Sequence, residues 1–93
     1  MNTRYGLVVK PAAQRALAET LPPAAAFAAW EFINGALRDN PHRVGKPLLE
    51  PLQGDWSARR GYLRVRHRTD NEKDVVTVVD VAHRSDIYHP RRR

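Results

Sequence analysis

Residues 56–82 read WSARRGYLRVRHRTDNEKDVVTVVDVA, and the fold turns on how this stretch divides. Three runs rich in β-branched and aromatic residues, 56–59, 62–68 and 75–82, are separated by Arg60-Gly61 and by the polar TDNEKD. The pattern predicts three strands joined by a tight turn and a longer hydrated loop. In YLRVRHR, alternation puts Arg64, Arg66 and Arg68 on one face and Leu63, Val65 and His67 on the other. VVTVVDVA is apolar on nearly every position, which predicts a central strand buried on both sides.

Working outward, Tyr5, Leu7 and Val9 alternate as in a short first strand. Pro11 suits the first turn of a helix, and AAQRALAET continues with strong helix formers. Pro22-Pro23 breaks that helix and begins another, AAAFAAWEFINGALRD, in which Phe27, Trp30, Ile33 and Leu37 recur every three or four residues as an apolar face. Asn40-Pro41 ends it. The segment HRVGKPLLEPLQG reads as a loop punctuated by Gly45, Pro47, Pro51 and Gly54. The expected fold is α+β, a compact single domain over 1–93 in the order β-α-α-β-β-β. A helical hairpin packs on a largely antiparallel sheet, and a basic tail occupies 89–93.

The composition narrows the chemistry. With 42% hydrophobic residues in 93 the chain is expected to be one globular domain, and it contains no cysteine. Disulfides, thiolate metal sites and a cysteine nucleophile are thereby excluded. The opening MNTRYGLVVK lacks the length of a signal peptide or span, so a soluble, cytoplasmic protein is expected. Of the net charge of +6, +5 falls in residues 43–68, where seven basic side chains face only Glu50 and Asp55. Such a concentration attracts polyanions.

On residues alone the hairpin admits two readings. It is either a solvated sheet face over an apolar underside, or a set of cations aimed at phosphates. Arginine in place of lysine suits bidentate phosphate contacts. Arg84 and Tyr88, just past the last strand, either reach that same surface or serve locally, Arg84 as partner of Asp86 or Asp80 and Tyr88 in packing. His42, His67, His83 and His89 lack metal-ligand spacing, so no metal site is expected. No G-x-S-x-G, Walker-type loop or dinucleotide fingerprint occurs.

GKPL at 45–48, LQGDWSARRGYLRV at 52–65 and VVDVAHRSDIY at 78–88, in this order and spacing, resemble the RelE/ParE superfamily of bacterial and archaeal toxins, and most closely its RelE-like branch. The resemblance implies a type II toxin–antitoxin toxin that cleaves mRNA in the ribosomal A site. In that reaction the RNA 2′-OH attacks the adjacent phosphate, without a metal or other cofactor. It assigns Arg64 to the phosphate, Arg84 to charge stabilisation and leaving-group protonation, Tyr88 to the substrate base and Arg59 to a further basic position. Lys46, Arg60, Arg66 and Arg68 are expected to add RNA contacts. RelE itself carries a lysine pair where Asp55 and Ser57 stand here. YoeB-like relatives use a loop glutamate and a C-terminal histidine, roles open to Glu50 and His83. The implied partners are the ribosome, mRNA and an acidic, RelB-like antitoxin, with no membrane. Two other readings remain: a ParE-like gyrase inhibitor, or an inactive antitoxin-binding module.

Overall fold

The structure, a computed structural model, describes residues 4–48 and 54–83. The first strand, β1 (Gly6–Val9), leads into α1 (Pro11–Arg15), which widens into a π-helical turn at Ala16–Thr20. Proline at the first position loses no helical hydrogen bond there, and its fixed φ is already helical. After Leu21 returns to extended backbone, α2 (Pro23–Phe32) begins and again ends in a π-helical turn, Ile33–Leu37. Asn40 both closes this hairpin and caps a single turn, α3 (Pro41–Val44), its side chain accepting from the Arg43 amide at 3.2 Å. The remaining strands are β2 (Gly45–Pro47), β3 (Trp56–Arg60), β4 (Leu63–Asp70) and β5 (Val75–His83).

The sheet has the order β1-β5-β4-β3-β2. All neighbours are antiparallel except β1 and β5, whose parallel pairing sets Gly6 opposite Val75 and Val9 opposite Val78. The α+β class with a helical hairpin on a mostly antiparallel sheet is therefore as expected. GKP, however, is not loop. Gly45–Pro47 forms an edge strand on β3. An edge tolerates proline because one row of its hydrogen-bonding groups has no ladder to join.

One face of the sheet is covered by the helices. Ala58, Leu63, Val65, Val76, Val78 and Val81 share a core with Ala13, Ala16, Ala29, Phe32, Ile33 and Leu37. Fully burying each of the larger side chains contributes roughly 1.5–3 kcal/mol. The buried stripe of α2 differs from the expected one, since Phe27 is 67% and Trp30 41% exposed while Ala29 and Phe32 point inward. The helix is alanine-rich on all sides, so spacing alone does not mark one stripe. Alanine at the contact lets the hairpin approach the sheet closely. Nor is β5 buried on both sides. Val76, Val78 and Val81 are buried, but Asp80 is exposed and Thr77, Val79 and Ala82 are half-covered. A bulge accounts for the change of phase: His67 pairs with Val78 but Arg66 with Asp80, leaving Val79 as the extra residue.

Under α3 lies an aromatic cluster. His42 meets Trp56 edge-on at 5.0 Å, and Trp56 lies 6.5 Å from His67, which is fully buried. Neither ring nitrogen of His67 has a hydrogen-bond partner among the described residues. Burial above all, and then the neighbouring His42, push its pKa down to about 4 against the pull of Asp55. The edge strand passes directly over this ring. A Cβ at Gly45 would stand 2.7 Å from His67 Nε2 and 3.1 Å from the Pro41 carbonyl oxygen.

Two outcomes are expected. Gly45→Ala overpacks the His67 pocket and lowers stability by about 1–3 kcal/mol in chemical denaturation. The unfolded chain protonates His67 near 6.5 and the folded chain only near 4. The stability of the neutral ring is thus complete above pH 6.5 and lost as pH falls toward 4. The loss amounts to roughly 3 kcal/mol. His67→Gln puts a side chain of similar size that does not titrate in this pocket, and it should flatten the pH profile of unfolding over that window.

Candidate functional site

The sheet face away from the helices carries the cations. Since Ala58 and Val65 point into the core, their strand neighbours Ser57, Arg59, Arg64 and Arg66 point the other way. The register aligns Lys46, Ser57, Arg66 and Asp80 in one row across four strands, and Arg59, Arg64 and Ala82 in the next. Leu48, Ser57, Arg64, Arg66, Asp80 and Ala82 line a shallow depression of about 230 Å³. Asp80 is partly committed there, since its Oδ1 accepts from the Val81 amide at 2.8 Å.

The arginines fall into two states. Arg59 and Arg64 stand directly opposite each other, both exposed, and among the described residues no carboxylate pairs with either. Like charges in this position repel, by roughly 0.2–1 kcal/mol, unless an anion lies between them. Arg66 and Arg68 are instead drawn onto one carboxylate, that of Asp55, which is 4% exposed. Arg66 Nε is 3.5 Å from Asp55 Oδ2, and Arg68 Nε donates to Oδ1. Ion pairs of this kind lower repulsion within a cationic face while leaving it net positive.

Not every expected residue joins this surface. Lys46, Arg59, Arg64, Arg66 and Arg68 do. Arg60 lies on the helix side, its guanidinium 5.8 Å from the centre of the Phe32 ring, where it borders a groove with Phe27, Glu31 and Ala36. His83 pairs with Leu63 and follows Ala82 on β5, so alternation turns it to the same side as Leu63, with its ring 6.3 Å from that of Tyr62. Glu50, Arg84 and Tyr88 lie outside the described residues, as does the 89–93 tail. Asp55 is the residue that sequence reasoning undervalued. A lone carboxylate entering a strand opposite a run of alternating arginines was the available signal. Among the described residues no group of three or more histidines and carboxylates is placed to hold a metal ion.

Comparison with known proteins gives a consistent picture. No protein-family model matches the chain. Toxin RelE of Mycobacterium tuberculosis is 42% identical over 84 residues, which is 90% of this chain and 86% of that protein. Toxin RelG of the same organism is 48% identical over 68 residues, 73% of this chain and 78% of that one. Among solved structures, the toxin–antitoxin complex RelBE2 from M. tuberculosis superposes with a TM-score of 0.84 at 41% identity, covering 88% of this chain and all of the matched one. The archaeal RelE–RelB complex from Pyrococcus horikoshii superposes at 0.65 with 20% identity over 88% of this chain and 97% of its match, a likeness of fold alone.

The placement of the two arginine types is testable without any assumption about catalysis. On single-stranded poly(U), Arg64→Ala should weaken binding and flatten the plot of log K against log salt by about 0.7, one phosphate contact. Arg60→Ala, on the other side of the sheet, should leave that slope unchanged.

Proposed function

Since this chain belongs to the RelE-like toxins of toxin–antitoxin systems, we propose that it is a ribosome-dependent endoribonuclease, cutting mRNA in the A site and so stopping translation in the cytoplasm. The observation that carries the reading is Arg64, an exposed guanidinium without an ion-pair partner among the described residues, set opposite Arg59 on the open sheet face. Backbone cleavage by the neighbouring 2′-OH builds negative charge on a crowded phosphorane, and preplaced cations in a partly dry site stabilise it. The 2′-oxygen forms a bond to phosphorus, its proton passes to a base, and the 5′-oxygen of the next nucleotide leaves with a proton. The product is a 2′,3′-cyclic phosphate.

In this reading Arg64 binds the scissile phosphate and Arg59 supports it. Lys46, Arg66 and Arg68 hold flanking phosphates. Arg84 and Tyr88 take the family's roles at the leaving oxygen and the base. Arginine is an electrostatic stabiliser rather than a proton donor there, because a guanidinium does not give up its proton in proteins. Glu50, in the segment after GKP, is the candidate to accept the 2′-OH proton. Asp55 is not, because its carboxylate is buried and engaged by two guanidiniums.

The partner of the free toxin is a cognate antitoxin, RelB-like, acidic and in part disordered until it folds on the basic surface. Two of the solved relatives are themselves toxin–antitoxin complexes. A chain of net charge +6 favours an acidic mate. Coupled folding makes such a complex easy to regulate, because the unbound antitoxin stays exposed to proteolysis. Among the described residues no helix is long and apolar enough to cross a membrane.

Primer extension on an mRNA in a purified translation system tests the reading. Cuts positioned by codon and dependent on ribosomes are expected, with Arg64→Ala lowering the rate by about 10²–10³-fold while the fold is kept. Translation that runs without cuts would remove the nuclease reading and direct attention to gyrase supercoiling.

A further inference from the structure

Asp55 is an unusual presence on a phosphate-binding face. It is a carboxylate with a side chain 5% exposed, set just before β3 and beside the very cations that would hold RNA. A buried carboxylate is expensive unless it is paired. Here both pairings run through the same atom type, since Arg66 and Arg68 each approach it with Nε. That choice has a geometric consequence. A guanidinium has five N–H donors, of which Nε supplies one. Arg66 Nε, 3.5 Å from Asp55 Oδ2, is held by charge without a hydrogen bond. Arg68, which donates from Nε, has its plane fixed from the inner edge while its two terminal amino groups stay available. Among the described residues no acceptor engages those groups, and the Arg66 and Arg68 side chains are 35% and 61% exposed. Arg66 also lines the depression that contains Arg64, so the anchor at Asp55 extends by one residue to the cleavage site.

We propose that Asp55 is a positioning residue for RNA: it fixes the Arg68 fork by a hydrogen bond at Nε and draws Arg66 in by charge, so that both are presented to the phosphates next to the one held by Arg64. The inference rests on the RNA-cleaving function argued above. Its physical content is a choice between two opposite effects. As a unit of negative charge, Asp55 weakens the attraction of the face for RNA. As a tether, it stops two like charges from fanning apart and removes the need to order them at the moment of binding. The tether outweighs the charge, because a bidentate fork gains its phosphate contacts only when its plane is already set.

The two effects give opposite signs in one experiment. The full chain is titrated against a single-stranded RNA with 2′-O-methyl groups throughout, which preserves the phosphates but offers no attacking hydroxyl, over a range of salt. In parallel, cleavage on programmed ribosomes is measured as kcat and KM. Asp55→Asn raises the net charge by one, yet it should weaken RNA binding about tenfold and flatten the salt slope by roughly 0.7–1.4, the loss of one or two phosphate contacts. The loss on ribosomes should fall mainly on KM. Binding that is unchanged or tighter, with an equal or steeper slope, overturns the proposal, since a carboxylate that only cancels charge gives that result.

Arg68→Lys keeps every charge but has a single nitrogen, which cannot bond Asp55 and a phosphate in the same planar fork. It should also bind several-fold more weakly, and full affinity in this variant counts against the tether. If Asp55→Asn fails to unfold cooperatively, Arg68→Lys decides alone. A wild-type chain that neither binds the RNA nor cuts on ribosomes overturns the nuclease reading and the inference with it. A wild-type chain that cuts normally beside an undiminished Asp55→Asn overturns only the inference.

Discussion

The helical hairpin packs on one side of the sheet, and the rest of the molecule follows from that asymmetry. Ile33 and Leu37 share a fully buried core with Val65, Val76 and Val78. Strand alternation then commits every second residue of β3 and β4 to the other side, where nothing in the hairpin can reach it. A face without a helical cover has no apolar layer to satisfy, so it is free to carry arginine at 59, 64 and 66. The same strands thus carry the apolar core on one face and exposed cations on the other. Changes to either face act on nearly independent properties of the protein.

Arginine serves three different purposes within β3 and β4. At position 60 it spreads over Phe32, where its flat cation covers an aromatic ring at the edge of the core. At 66 and 68 it is anchored by a buried carboxylate. At 59 and 64 it stands without an ion pair among the described residues, across the ladder from its like. The last arrangement is the one that facing like charges leave least settled. Under the proposed function, a phosphate bound between them relieves the repulsion that the folded chain tolerates, at the site where charge would build.

The edge strand and the aromatic cluster frame this surface from the side. β2 lies on the rim of the sheet and carries Lys46 into the row of Ser57, Arg66 and Asp80. It can lie over the His67 ring, which reaches past β3 from β4, only because residue 45 lacks a side chain. The imidazole beneath it is buried and neutral at physiological pH. A charged ring there would lose its hydration beside another histidine, with Asp55 only a partial offset.

The strands, the two proline-initiated helices and the clustering of positive charge were legible in the sequence because each rests on short-range rules: period-two alternation, helix-start chemistry and turn residues. The family likewise showed in the order and spacing of short motifs. Which stripe of α2 is buried was not legible, because alanines surround that helix and only the shape of the sheet decides between Ala29 with Phe32 and Phe27 with Trp30. GKP read as a loop because a three-residue edge strand has no pattern of its own and exists only through its partner β3. The separation of Arg60 from Arg59, the turning of His83 away from Ala82 and the bulge at Val79 all depend on register, which is a relation between strands. The capture of Arg66 and Arg68 by Asp55 joins residues on either side of a turn. Sequence determined that this chain would carry an apolar core and a concentrated cationic hairpin. Tertiary structure alone decided which of those cations are held by Asp55 and which stand without an ion pair among the described residues, because that depends on distances between strands that no local pattern encodes.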